Sequence, residues 1–479
     1  MTFPTLSTGR PATVTGEAEA ADRSALRTWW IGLLPAVAMA VWCLPFAGRR
    51  SLWQDESVSW AQSTESWSEL VDNLHHQDLV FAPYYAFLHV WLQVSESAAW
   101  IRLPSLVAAA ATVWMVAALA ERLWGSRWDG LIAGTLLAVH PSFTAWALQA
   151  RPYALAALAA TVSFWYLDVA SRSGRPRHWV AYVAACAIGG YLHLFTLLIV
   201  PVHLLALLAG RRFSRQSAVA LAGLVAVCSP LALTFGQSDQ VAWIGSLTWQ
   251  NVQDAMHFLI GPRLVAALLV LAVLGLAVRA AQGPAERFAV TLGLGWAIFP
   301  VVALLGVSLA HPIFQERYVV FVIPGLCFAA AGGWSAFFSS VLAVPGRIAL
   351  VLAVVGVAGW SPALVDTLRS LYYIDDFQGL DRYLAADPTA RHIVVSPAWV
   401  ATGVAYYERD GSQAAQWRQA AKSTGQTTVP RGSGPIRCSE IRVLLRSDLS
   451  EANAVAAAQG CAVGTKRQFG YLTLITLRD

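Results

Sequence analysis

Apolar runs of about twenty residues recur along most of this chain, and no other feature restricts its fold as much. A backbone in lipid has no water to bond, so each N–H and C=O needs an internal partner and such runs must be helical. They fall at 29–47, 101–120, 130–141, 153–170, 179–192, 194–210, 217–235, 264–280, 288–310, 319–338 and 347–365. That makes about eleven crossings. Only 13% of the residues are charged and 57% are hydrophobic, where a soluble domain carries about a quarter charged. The first run is long enough to span, has a long polar leader, and is followed by no clear small-residue cleavage site, so it reads as a span and not as a signal peptide. Residues 1–27, rich in Ser, Thr, Ala, Gly and Pro, read as a disordered tail.

Arginine placement sets the orientation. Short loops holding Arg122 and Arg127, then Arg172, Arg175 and Arg177, then Arg211, Arg212 and Arg215, then Arg279 and Arg287, and Arg347, alternate with loops carrying Arg102, Arg151, Arg263 and Arg317 singly. The positive-inside rule puts the first set in the cytoplasm. The N-terminus is then cytoplasmic and the first loop, about 48–100, lies outside a plasma membrane. The odd span count leaves residues 366–479 outside as well. The net charge of +5 is scattered and forms no basic stripe, so no nucleic-acid partner is expected.

The C-terminal stretch reads as a small α/β domain. His392–Val395, Ile441–Leu445 and Tyr471–Ile475 have strand character and Glu451–Gln459 helical character. Cys438 and Cys461 lie in this outer domain, where an oxidising compartment lets them pair; two unpaired thiols are the alternative. Four other cysteines lie in or beside apolar runs and read as small hydrophobes.

The unusual polar groups gather on the outer loops. Asp55 and Glu56 follow the first span directly, and His75, His76, Asp78, Tyr84 and Tyr85 come after them in the same loop. Further along are His140, Gln149, Arg151 and Tyr153, then His193, then Asp239, Trp243, Trp249, Asp254 and His257, and finally Glu316, Arg317 and Tyr318. A carboxylate can take a proton from an attacking hydroxyl, and a guanidinium can hold a phosphate through two parallel charged bonds. Together at one membrane face they suit transfer from a lipid phosphate. Structural readings stay open beside this one. Glu56 can cap a helix N-terminus, His75 and His76 can be interfacial hydrogen-bonders, Arg151 and Arg317 can anchor span ends, and the Trp residues can mark the interface. Arg102, ahead of Leu103-Pro104-Ser105, reads as structural.

Trp53-Gln54-Asp55-Glu56, His76-Gln77-Asp78, Tyr84-Tyr85, Arg102-Leu103-Pro104-Ser105, Ala150-Arg151-Pro152-Tyr153-Ala154, His193-Leu194-Phe195 and Glu316-Arg317-Tyr318 with Pro324 come in an order that resembles the glycosyltransferase family 39 branch of the GT-C superfamily. That branch includes actinobacterial mannosyltransferases, protein O-mannosyltransferases and aminoarabinose transferases. The resemblance covers about residues 28–365. It implies a membrane catalytic domain there, inverting transfer of a mannose or another hexose or pentose from a polyprenyl-phosphate donor, and a catalytic acid pair at Asp55-Glu56 with Asp55 as base. It also implies donor-phosphate or substrate contacts from Arg151, Arg317, Tyr153, Tyr318, His193, His76, Asp78, Tyr84 and Tyr85. The acceptor would be a glycan, lipid or protein hydroxyl. No cofactor is expected, although Asp55, Glu56 and Asp78 offer oxygen ligands to a divalent metal ion. Two departures stand out. Gln149 replaces a common Glu, and Phe81-Ala82-Pro83 replaces a common His-Gly ahead of the tyrosines. Competing readings are a transporter or flippase of a lipid-linked solute and a non-catalytic scaffold. Spans nearly free of charge, polar groups at one face and no internal repeat weigh against the transporter.

Overall fold

The computed structural model describes residues 14–76, 79–236, 243–261, 263–341, 360–370, 374–409, 411, 413–423, 425–432, 435–446 and 451–479. A helical bundle occupies the first three quarters of the chain. Its elements are α1 (Val14–Ala47), α2 (Gln54–Thr64), α3 (Trp67–His76), α4 (Ala82–Trp91), α5 (Ala98–Trp124), α6 (Arg127–Val139), α7 (Pro141–Ala147), α8 (Tyr153–Ser173), α9 (Pro176–Leu192), α10 (Ile199–Ala209), α11 (Arg215–Cys228), α12 (Trp249–Ile260), α13 (Arg263–Ala280), α14 (Pro284–Ser308), α15 (Ile323–Val341) and α16 (360–369). Helix α1 begins at Val14, so helix takes in the second half of the segment expected to be disordered; residues 1–13 lie outside the described residues. Most of the expected span 347–365 lies outside them too.

Among the described residues five helices are long and apolar enough to cross a membrane: Ala98–Trp124, Tyr153–Ser173, Arg215–Leu233, Pro284–Ser308 and Glu316–Ser340. The pair Trp249–Ile260 and Val265–Ala280, bent by 74°, makes a sixth if taken as one span. The count falls short of the expected eleven partly because α6, α9 and α10 are only 13, 17 and 11 residues long. The break expected near Tyr191-Leu192-His193 is present: α9 ends at Leu192, and His193 is extended (φ −158°, ψ 107°). Helices pack closely where glycines remove the side chain. A Cβ on Gly275 of α13 would lie 1.8 Å from the Gly333 carbonyl oxygen of α15, so the two backbones touch there.

One end of the bundle collects arginines. Buried Asp168 near the end of α8 accepts from Arg122 at the end of α5 (2.7 Å), Arg172 (2.8 Å) and Arg212 after α10 (2.7 Å). Three loops of the Arg-rich set therefore meet at one end. The loops of Arg102, Arg151 and Arg317 meet at the site described below.

The C-terminal region is a five-stranded sheet in the order β2-β1-β3-β5-β4, with β1 (His392–Ser396), β2 (Thr427–Pro430), β3 (Ile441–Arg446), β4 (Ala462–Phe469) and β5 (Leu472–Arg478). Strands β1 and β3 run parallel, and the other pairs are antiparallel. Helices α17 (Phe377–Ala385), α18 (Ala401–Tyr407), α19 (Ala414–Ala421) and α20 (Glu451–Ala458) accompany it. Cys438 and Cys461 form a disulfide. Replacing both with Ser is expected to destabilise the domain by about 2–4 kcal/mol, read as a lower unfolding midpoint of protein purified under oxidising conditions.

This domain shares a hydrophobic core with the loop after α1. Leu52, Trp60, Leu92, Ile101 and Ala150 pack with Phe377, Leu380, Val400, Tyr406, Trp417 and Leu474. Burial of this mixed set ties sheet and bundle together at the loop after α1.

Candidate active site

Trp53 is extended (φ −98°, ψ 176°) and leads into α2, whose first turn carries Asp55 and Glu56. Acids there suit the positive end of the helix dipole. Adjacent helix positions point about 100° apart, and the two carboxylates have separate environments.

Glu56 is buried and fully committed. Its Oε1 and Oε2 accept from Arg102 Nε (2.7 Å) and Nη2 (2.6 Å) in a bidentate pair, both side chains being at most 2% exposed. Oε1 also accepts the Ala150 N–H (2.7 Å) and Oε2 the Trp53 N–H (3.4 Å), the latter as half of a capping box. Arg102 spends its remaining donors on the carbonyls of Ala47, Arg50 and Ser51. The Glu56 side chain ties the end of α1, α2, α5 and the 150 loop together, a geometry that fits the capping alternative and leaves its carboxylate fully paired. Among the described residues every hydrogen bond of the Arg102 side chain runs to Glu56 or to a backbone carbonyl of Ala47, Arg50 or Ser51, which agrees with a structural reading.

Asp55 is half-buried. The hydrogen bonds it receives among the described residues run to its backbone oxygen, from Ser59 Oγ (2.9 Å) and Arg151 Nη1 (3.3 Å). Arg151 also donates to Ser59 Oγ (3.0 Å), and its guanidinium lies 4.5 Å from the Phe81 ring centroid. Phe81 is one of the departures noted above, and its aromatic face lies against the guanidinium. Arg317 is the second residue of the 3-10 turn Glu316–Val322, with its guanidinium 5.9 Å from the Trp53 ring, 5.4 Å from Trp243 and 5.6 Å from Tyr318. It lies within electrostatic range of Asp55, Tyr153 and Arg151. Its Nε is buried with no hydrogen-bond partner among the described residues.

An aromatic wall joins these groups. Tyr153, at the start of α8, meets Trp146 edge-on (4.6 Å) and lies 5.2 Å from His193, which is 5.5 Å from Tyr318. Trp146 also meets Trp53 at 6.3 Å. Tyr84 is fully buried within electrostatic range of Arg151 and Glu56; Tyr85 is a step further away, packed with Leu70, Tyr84 and Leu88. Asp55, Arg151, Arg317, Tyr153, Tyr318, His193 and Tyr84 are thus brought together from segments far apart in sequence. Asp78 and the His76 side chain lie outside the described residues. Among the described residues, no three His, Cys, Asp or Glu side chains are grouped to hold a metal ion.

Ser59 and Asp375 escaped the sequence reading, and Phe81 appeared in it only as a departure. Ser59 and Phe81 position Arg151. Asp375 of the C-terminal domain, fully buried, accepts the Gln54 N–H (3.1 Å) and pairs with Arg446 (2.9 Å). Burial lifts the Asp375 carboxyl above its usual range, opposed by Arg446 and assisted by the nearby charge of Asp55. Nothing in the sequence separates Asp375 from Asp376, which caps α17 through the Gly379 N–H (2.8 Å).

A family described as dolichyl-phosphate-mannose-protein mannosyltransferase matches residues 82–234, under half of the chain. That segment includes Tyr84, Tyr85, Arg102, Arg151, Tyr153 and His193. No curated protein sequence matches the chain. In fold it is similar to ArnT from Cupriavidus metallidurans in the apo state, at a TM-score of 0.57 and 13% identity over 94% of this chain and 98% of that one. The same protein bound to undecaprenyl phosphate gives a TM-score of 0.54 and 12% identity over 97% of this chain and 98% of that one. The middle segment thus matches this mannosyltransferase family, and the chain as a whole shares the fold of ArnT, with helices long and apolar enough to cross a membrane.

Proposed function

We propose that the protein transfers a sugar from a polyprenyl-phosphate donor to an acceptor hydroxyl at the outer face of the plasma membrane. The observation that carries this reading is the convergence of half-buried Asp55 with Arg151, which bonds to its backbone oxygen, and with Arg317, within electrostatic range of its carboxylate, against an aromatic wall at one end of the bundle. The ArnT structure with undecaprenyl phosphate supports the donor class. Asp55 takes the acceptor's hydroxyl proton as that oxygen bonds to the anomeric carbon. The bond from that carbon to the phosphate oxygen breaks, its electron pair leaves with the polyprenyl phosphate, and Arg151 and Arg317 stabilise the charge that develops. Attack opposite the leaving group inverts the anomeric centre. Tyr153, Tyr318 and His193 border the sugar, a mannose or another hexose or pentose, and Tyr84 supports Arg151 from below. About eleven spans with a cytoplasmic N-terminus complete the reading, because they set this face and the C-terminal domain outside.

Purified protein given labelled polyprenyl-phosphate sugars and candidate glycan, lipid or protein acceptors should release polyprenyl phosphate in an acceptor-dependent way; no release with any donor overturns the reading. Arg317→Gln is expected to raise the donor KM and lower kcat/KM by about 10- to 100-fold, since a charged hydrogen bond to phosphate is worth about 1.5–3 kcal/mol. Two guanidiniums can neutralise a monophosphate leaving group without a metal, so we propose metal-independent transfer. Initial rates with EDTA should then match those with added Mg²⁺ or Mn²⁺, and an EDTA-sensitive rate restored by either ion would refute it.

A further inference from the structure

The segment that aims Asp55 is held from the C-terminal domain, not from the bundle alone. Along Ser51–Gln54, the Leu52 N–H bonds to Tyr407 Oη (2.7 Å), Ser51 Oγ accepts the Gln378 N–H (3.1 Å), and the Gln54 side chain donates to the Trp399 carbonyl (3.0 Å). The Gln54 N–H, an unsatisfied donor of the first turn of α2, bonds to Asp375 Oδ2 (3.1 Å). Asp375 has no solvent exposure and is fixed in turn by Arg446 Nε (2.9 and 3.2 Å), whose guanidinium lies 5.6 Å from the Trp399 ring. Asp375 also bridges Gly470 in antiparallel fashion, so it is anchored to the turn between β4 and β5.

From this geometry we infer that Asp375 is a positioning residue for Asp55, with Arg446 as its support, and that the C-terminal domain is part of the active site. The carboxylate sits at the positive end of α2, one residue before Asp55, where it fixes both the start of the helix and the direction of its first turn. Arg446 holds the carboxylate from the sheet side, so a movement of the sheet is passed to Asp55 through two buried bonds. The inference rests on the function proposed above for Asp55, and a misplacement of about 1 Å at a catalytic group can cost about 100-fold in rate.

The test compares Asp375→Ala with Val443→Ala, a change in the buried centre of β3 that lowers domain stability without touching residues 51–55. Hydrogen–deuterium exchange of the peptide around 52–60 reads the positioning without relying on turnover. Asp375→Ala should speed exchange there while Val443→Ala does not, and it should lower kcat about 10- to 100-fold with donor KM within about two-fold of wild type. Asp375→Asn keeps an acceptor for the Gln54 N–H and should recover much of kcat. Unchanged exchange around 52–60 in Asp375→Ala overturns the inference, as does a fall in kcat no larger than that of Val443→Ala at equal folded fraction. If wild type transfers no sugar at all, the proposed function fails and the positioning role is decided by exchange alone.

Discussion

Asp55→Asn is expected to lower transfer by on the order of 10²- to 10⁴-fold while leaving the protein folded, because the amide cannot accept the acceptor's proton. Asp55 is the one acid of the pair whose carboxylate is not drawn into a buried ion pair, and the bonds it receives run to its backbone oxygen, which the substitution retains. The unfolding midpoint should stay close to that of wild type, and donor binding, measured by competition with polyprenyl phosphate, should change little because Arg151 and Arg317 remain. The decisive measurement is acceptor-dependent release of polyprenyl phosphate from labelled donor. Equal release by wild type and Asp55→Asn removes Asp55 as the base, whatever the sugar.

The neighbouring acid should behave in the opposite way. Removing one partner of a buried ion pair leaves an uncompensated charge and costs about 3–5 kcal/mol. Arg102→Met leaves the Glu56 carboxylate buried with only the Ala150 and Trp53 N–H donors, and frees the carbonyls of Ala47, Arg50 and Ser51. The variant should unfold at a clearly lower temperature and accumulate poorly. Adding Glu56→Gln removes the unpaired charge and should restore part of the loss, so the two substitutions should be strongly non-additive. Activity in this series should follow the folded fraction. If Glu56→Gln folds like wild type yet loses transfer as Asp55→Asn does, Glu56 takes part in the chemistry and its structural assignment fails.

The contrast between adjacent acids shows where a sequence stops being informative. Asp55-Glu56 after the first span marked the place of the site, but only a partner 46 residues away, Arg102, decides which acid is free for chemistry. The sheet behaves similarly. Its inner strands β1, β3 and β5 are covered on both faces and are rich in Ile, Val and Leu. The missed strands, β2 and β4, are its two edges: β2 is four residues long, and β4 is mostly exposed and carries Gly464, Lys466 and Arg467. Short and charged edges protect a sheet from unwanted pairing and also erase the alternation that identifies a strand.

The sequence by itself determined the membrane class, the break at His193, the clustering of arginines at one end and the identity of most polar groups at the other, because burial in lipid writes those features as composition and period. Tertiary structure alone decided that Glu56 belongs to Arg102, that Phe81 backs Arg151, and that Asp375 reaches from the last domain to the first turn of α2. Each of these is a pairing across a large sequence separation. Such a pairing is fixed by which surfaces pack together, and neither partner's local pattern carries a trace of it.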